Sequence, residues 1–228
     1  MPQETRYHEQ RTFFRRFAAL YMPWFALTTL LAALPLSPYG MARFVICTVT
    51  ILAPVAAFVL AYRRRPDLRS TVLRLDLTIL HLFQIARLAG IGMLVGYAVD
   101  RLAPPFALWA GGIDVFIGLS ATFVAFLGMT RDPLPRRALM AWNALGLLDF
   151  AVAFGIWFLW SPTLMGVLAD HSTTALMLRL PLSFIPMAGV PIAAIVHIIA
   201  LLQLHRGDHD APNKVLHDHT PANIKIAS

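Results

Sequence analysis

Seven side chains able to do chemistry lie inside stretches that are otherwise apolar: His81, Gln84, Arg87, Asp114, Asn143, Asp149 and His197. A guanidinium is a permanent cation with five donors, and carboxylates and imidazoles take up and release protons. Together such groups can hold an ion, orient a polar solute or move a proton. His81, Gln84 and Arg87 recur every third residue, as do Asn143, Gly146 and Asp149, which spreads each set over about 120° of one helix side. Asp114, Gly118 and Thr122 recur every fourth residue, as do Gly189, Ala193 and His197. An ionisable group at the centre of a bilayer costs about 2.5–3.5 kcal/mol on insertion scales, so such groups face a bundle interior when they occur.

Depth assigns roles. Counted along ideal helices, His81 and Asn143 lie one turn from the inner ends of their segments, and Gln84 and His197 about two turns. Arg87 and Asp149 fall near the midplane, as a fixed charge and its counter-ion. Asp114 falls in the outer third with no cation at its level and reads as a titrating carboxylate, with His81 and His197 as inner relay groups. This column suits the binding or translocation of a small solute, linked to protons. The first alternative is a redox protein carrying haem b between His81 and His197, since two imidazoles facing across a bundle can ligate the iron. The second is structural or partner-binding: polar pairs such as Arg87–Asp149 also fasten helices in lipid.

The elements that must position these groups are transmembrane helices. The chain has 228 residues, 58% hydrophobic and 14% charged, with a mean hydropathy of +0.65. Soluble domains sit near 45–50% and 25%, so a water-soluble globule is excluded. Six apolar stretches follow one another, roughly 17–36, 41–62, 77–99, 107–129, 138–160 and 181–204, each near the length of about 20 residues that a bilayer requires. The first is too long for a signal-peptide core and reads as a retained span. This gives an all-α six-helix bundle over 17–204, between a basic segment at 1–16 and a polar, His-rich tail at 205–228.

Charge orients the bundle. The formal net charge is +7, yet the basic residues cluster between apolar runs and form no exposed stripe of the kind that binds nucleic acid. Four arginines precede the first span, five lie within 63–76, three within 130–137, and Arg206, Lys214 and Lys225 follow the last. The alternate loops hold one each: Arg43, Arg101 and Arg179. By the positive-inside rule both termini are cytoplasmic, in a membrane read here as a bacterial inner membrane. Tyr39, Tyr97, Trp109 and Trp160 mark the outer interface, and Tyr62 and Trp142 the inner one. Ala103-Pro104-Pro105 reads as a loop break, and the long 161–180 loop has room for a short interfacial segment.

Small residues and prolines refine the picture. Gly92 and Gly96 have the GxxxG spacing of close helix approach. Gly111 and Gly146 each stand three residues before an aspartate, a weak internal match. Pro181 suits a helix start, whereas Pro186 and Pro191 interrupt the outer half of the last span. Gly118-Leu119-Ser120-Ala121, with His197 and the span count, resembles rhomboid intramembrane proteases, which implies a Ser120–His197 dyad. The sequence departs from that family after His197, where Ile198 and Ile199 follow, and the second span offers neither His nor Asn. No span contains lysine, so a retinal Schiff base is excluded. Cys47 is the one cysteine, and no disulfide forms within the chain. In the tail His205, His209, His217 and His219 are candidate ligands for zinc, nickel or copper.

Overall fold

The computed structural model describes residues 3–130, 134–169 and 171–210. It is all-α. Helix α1 is Gln3–Ala33, α2 Met41–Arg64 and α3 the short Pro66–Val72. Then come α4 (Leu77–Ala98), α5 (Pro104–Gly128), α6 (Arg136–Leu159) and α7 (Ile185–Arg206), and α7 runs on to Asp210. Five helices, α2 and α4–α7, are long and apolar enough to cross a membrane, and α1 adds a shorter apolar stretch, Phe17–Ala33. Six apolar segments are therefore present, but the first does not reach the length of the other five.

Local chemistry sets the boundaries. Asp76 caps α4, its Oδ1 accepting from the Thr78 amide at 2.8 Å and the Ile79 amide at 3.4 Å, which satisfies donors that a helix start leaves open. Pro66 and Pro104 sit in the first turns of α3 and α5, where a missing N–H costs nothing. The Pro104-Pro105 pair thus opens a helix and does not end a loop, so α5 starts earlier than its hydropathy suggests. At the other boundary α7 begins at Ile185, after Pro181, with a π turn over Ile185–Gly189.

Contacts at the two ends fix the alternation of the helices. Gln203 of α7 donates to the carbonyls of Val72 and Leu75 at 2.8 and 3.1 Å, and Arg136 donates to the Leu204 carbonyl. At the opposite end residues 172–184 fold inward as a cap. Thr174 donates to the Trp157 and Trp160 carbonyls, and Met177 and Leu178, in a 3₁₀ turn, join the core with Phe44, Met93, Phe106 and Trp157. A second apolar cluster, with Val72, Leu80, Val196 and Ile199, occupies the α3 end. Outward faces such as Val45, Val49 and Leu52 on α2, and Phe116, Leu119 and Phe123 on α5, remain exposed. Lipid tails suit such faces, and backbone groups satisfied within helices let the bundle span a bilayer.

Candidate functional site

The site is built on a local change of helix type. Within α4, residues Gln84–Gly90 form a 3₁₀ helix. With three residues per turn, side chains three apart eclipse one another. Gln84, Arg87 and Gly90 therefore stand in one row, all buried. The same row would be smeared over a wide arc in an ideal α-helix.

Arg87 lies at the centre of a four-helix cluster. Its Nε donates to Asp114 Oδ1 of α5 at 2.5 Å, and one Nη donates to Asp149 Oδ2 of α6. The other Nη reaches the Gly146 carbonyl at 3.4 Å and His197 Nε2 of α7 at 3.2 Å. The guanidinium carbon lies 4.2 Å from the centre of the Phe150 ring, a cation–π contact. From His197 the chain continues: Nδ1 meets Asn143 Oδ1 at 2.9 Å, and Asn143 Nδ2 meets His81 Nε2 at 3.2 Å and the Leu139 carbonyl at 2.9 Å.

Arginine fixes the direction of every bond in this chain. It only donates, so His197 Nε2 must accept and Nδ1 must carry the hydrogen given to Asn143 Oδ1. The Leu139 carbonyl independently demands the amide NH₂ on the other side. Asn143 therefore donates to His81 Nε2, and both imidazoles are single, defined tautomers. Gln84 stands beside this chain, its Nε2 donating to the Ala193 carbonyl at 3.2 Å.

The seven expected residues are thus brought together, with six in one hydrogen-bonded chain and Gln84 adjoining it. One expectation is corrected. Asp114 has a cation at its own level, because α5 starts at Pro104 and includes a π turn over Ala107–Gly111. The earlier start carries Asp114 deeper than ideal counting from residue 107 allows, and the π turn rotates the residues that follow it. Close approach of another helix is made elsewhere than at the GxxxG pair: Gly92 and Gly96 accommodate Leu182 and Leu176 of the capping segment, while a Cβ on Gly90 would lie 2.6 Å from Asp114 Cβ. Gly111 and Gly146, three residues before the two aspartates, both mark close neighbours, Gly90 and His197 respectively.

Two chemistries do not fit these residues. A bis-imidazole haem requires the iron between two ring nitrogens. Here Asn143 stands between the rings, and both nitrogens of His197 are engaged. Nor is there a Ser120–His197 dyad. Ser120 takes the Trp142 indole N–H at 2.9 Å and donates to the Ile117 carbonyl at 3.1 Å. Among the described residues no group of three His, Cys, Asp or Glu side chains could hold a metal. His205 lies exposed on the last turns of α7, while the His209 side chain, His217 and His219 fall outside the described residues.

Sequence reasoning missed three contributors. Trp142, read as an interfacial marker, packs edge-on against both His81 and His197, at 5.3 and 5.6 Å between ring centres. Phe150 faces the guanidinium, and the signal for it was its place beside an intramembrane carboxylate. Gly146 supplies both a carbonyl and the space for His197: a Cβ there would lie 2.2 Å from Nε2.

No curated protein and no solved structure matches the chain. A family profile described as a domain of unknown function, DUF8737, matches residues 44–205. That range leaves out α1 and contains every member of the cluster, from His81 to His197. The chain belongs to the DUF8737 family.

Proposed function

We propose that this is an integral membrane protein that binds a small solute at Arg87, Asp114 and Asp149, with the protonation of that site linked to its occupancy. One observation carries the reading. A single guanidinium faces two buried carboxylates from three helices, and both carboxylates border a small cavity. One negative charge is in excess, and a low-dielectric interior disfavours an uncompensated charge by several kcal/mol. A proton, or a cationic group on the solute, would balance it.

In this reading His197, Asn143 and His81 position the guanidinium and do not relay protons. Arg87 separates them from the carboxylates, and arginine does not give up its proton. The wider arrangement is six crossings, with Phe17–Ala33 as part of the 31-residue α1 supplying the first, and both termini in the cytoplasm of a bacterial inner membrane. The alternating arginine counts support that orientation; the solute and the lipid bilayer are the partners.

Infrared difference spectroscopy of the full chain in lipid nanodiscs, titrated with acid and base, tests the proposal. A protonated-carboxyl band that follows pH, and is lost in Asp114→Asn or Asp149→Asn, is the expected result. A carboxylate spectrum that ignores pH would mark the triad as a permanent fastening between helices.

A further inference from the structure

We infer that the solute is a compact lipophilic amine that enters from the bilayer between α2 and α6. The inference rests on the reading of the triad as a ligand site. A cavity of about 260 Å³ lies between these helices and α7. It is bordered by Trp157 of α6, on which Phe44 of α2 stacks at 4.4 Å between ring centres. Along its length the cavity is bordered by Leu52 and Ala151, both exposed on the outward face, so its mouth faces lipid and not an aqueous end of the bundle.

The inner end leads to the charges. A second compartment of about 40 Å³ shares Phe106, Phe150, Ala153, Met177, Pro186 and Val190 with the first. Of the side chains lining it, Asp114 and Asp149 alone are polar; Arg87 is not among them. Asp149 is 1% exposed, and its Oδ1 has no hydrogen-bond partner among the described residues. The indole N–H of Trp109 also acts on the Asp149 carboxylate as a donor.

Chemistry selects the guest. The compartment offers acceptors, so the head group must be a donor. The excess negative charge favours a cation over a hydroxyl, and a space of about 40 Å³, a few times what one water needs, admits an ammonium. The larger cavity takes the apolar body. An apolar cavity of about 150 Å³ accommodates benzene, so 260 Å³ suits one ring with a short chain. Phe106, Phe150 and Phe154 supply aromatic walls. The inner compartment is bordered by both π turns, Ala110 from Ala107–Gly111 and Ile185 and Pro186 from Ile185–Gly189, a helix irregularity that recurs at functional sites.

The test is equilibrium dialysis of radiolabelled 2-phenylethylamine against the full chain in nanodiscs, with empty nanodiscs as blank and uncharged ethylbenzene as competitor. Saturable binding is expected, weakened about tenfold or more by Asp149→Asn, the factor corresponding to loss of one modest charged contact. Ala153→Leu keeps the triad, fills the cavity and should abolish saturable binding; it carries the test if Asp149→Asn fails to fold. Binding that does not saturate, survives both substitutions, or yields equally to ethylbenzene overturns the assignment. A pH-dependent carboxyl band without amine binding would remove the amine and leave the proton-linked site. Amine binding without such a band would remove the proton and leave the ligand class.

Discussion

His197 Nδ1 and Asn143 Oδ1 lie 2.9 Å apart, and the direction of that bond is set by Arg87 on the far side of the imidazole. A cation that only donates fixes one tautomer, that tautomer fixes one amide orientation, and the amide fixes the next imidazole. The polar interior is therefore ordered outward from a single charge, and removing any middle member should strand its neighbours.

Asn143→Leu keeps side-chain volume and deletes both ends of the amide. It leaves the His197 Nδ1–H and His81 Nε2 buried without their partner, and each orphaned group costs about 1–3 kcal/mol. Chemical denaturation in detergent, followed by tryptophan fluorescence, should show a loss of that order. Because Trp142 touches both rings, its emission in the folded state should shift as well. An unchanged midpoint would mean that water replaces the amide at no cost and that the chain contributes no rigidity.

Two glycines of α6 should respond in opposite directions. A Cβ on Gly146 meets His197 Nε2 at 2.2 Å, while one on Gly155 meets nothing within 4 Å. Gly146→Ala should push the imidazole off Arg87 and cost about 1–3 kcal/mol, as overpacking does. Gly155→Ala gains only helix propensity and should stabilise by up to about 1 kcal/mol. Thermal melting of the two variants side by side checks the sign, and a Gly146→Ala protein as stable as the parent would contradict the described approach of α6 and α7.

Composition and hydropathy made the five long apolar helices legible, and exposed rows such as Val45, Val49 and Leu52 suit lipid. Convergence of the polar groups was legible too: helices that keep His81, Arg87, Asp149 and His197 in an apolar setting must turn them toward one another. What periodicity could not show was the 3₁₀ row through Gln84 and Arg87 or the π turn before Asp114. Both change rise and rotation per residue without changing hydropathy, so Asp114 was assigned to the wrong depth. Trp142 was misplaced for a related reason: an aromatic near a span end looks the same whether it meets headgroups or two imidazoles. Charge counting likewise treated Arg43 as one more loop residue.

Arg43 in fact ties α1 to α2. It is buried, and its guanidinium donates to the carbonyls of Leu31 at 3.3 Å, Ala32 at 2.7 Å and Leu36 at 3.1 Å, and also to that of Leu34. The last carbonyls of a helix have no partner within it, and here one side chain from the next helix serves them. Arg43→Gln retains polarity but cannot span the four acceptors. Buried acceptors left open cost about 1–3 kcal/mol each, so the end of α1 should loosen while α4–α7, fastened by the Arg87 cluster, keep their packing. Hydrogen exchange read by mass spectrometry should then rise across Thr29–Ala33 and stay unchanged through Leu77–Ala98. Equal protection of both segments in the variant would show that α1 is held by its apolar contacts alone, such as the stack of Phe25 on Phe184 at 5.3 Å.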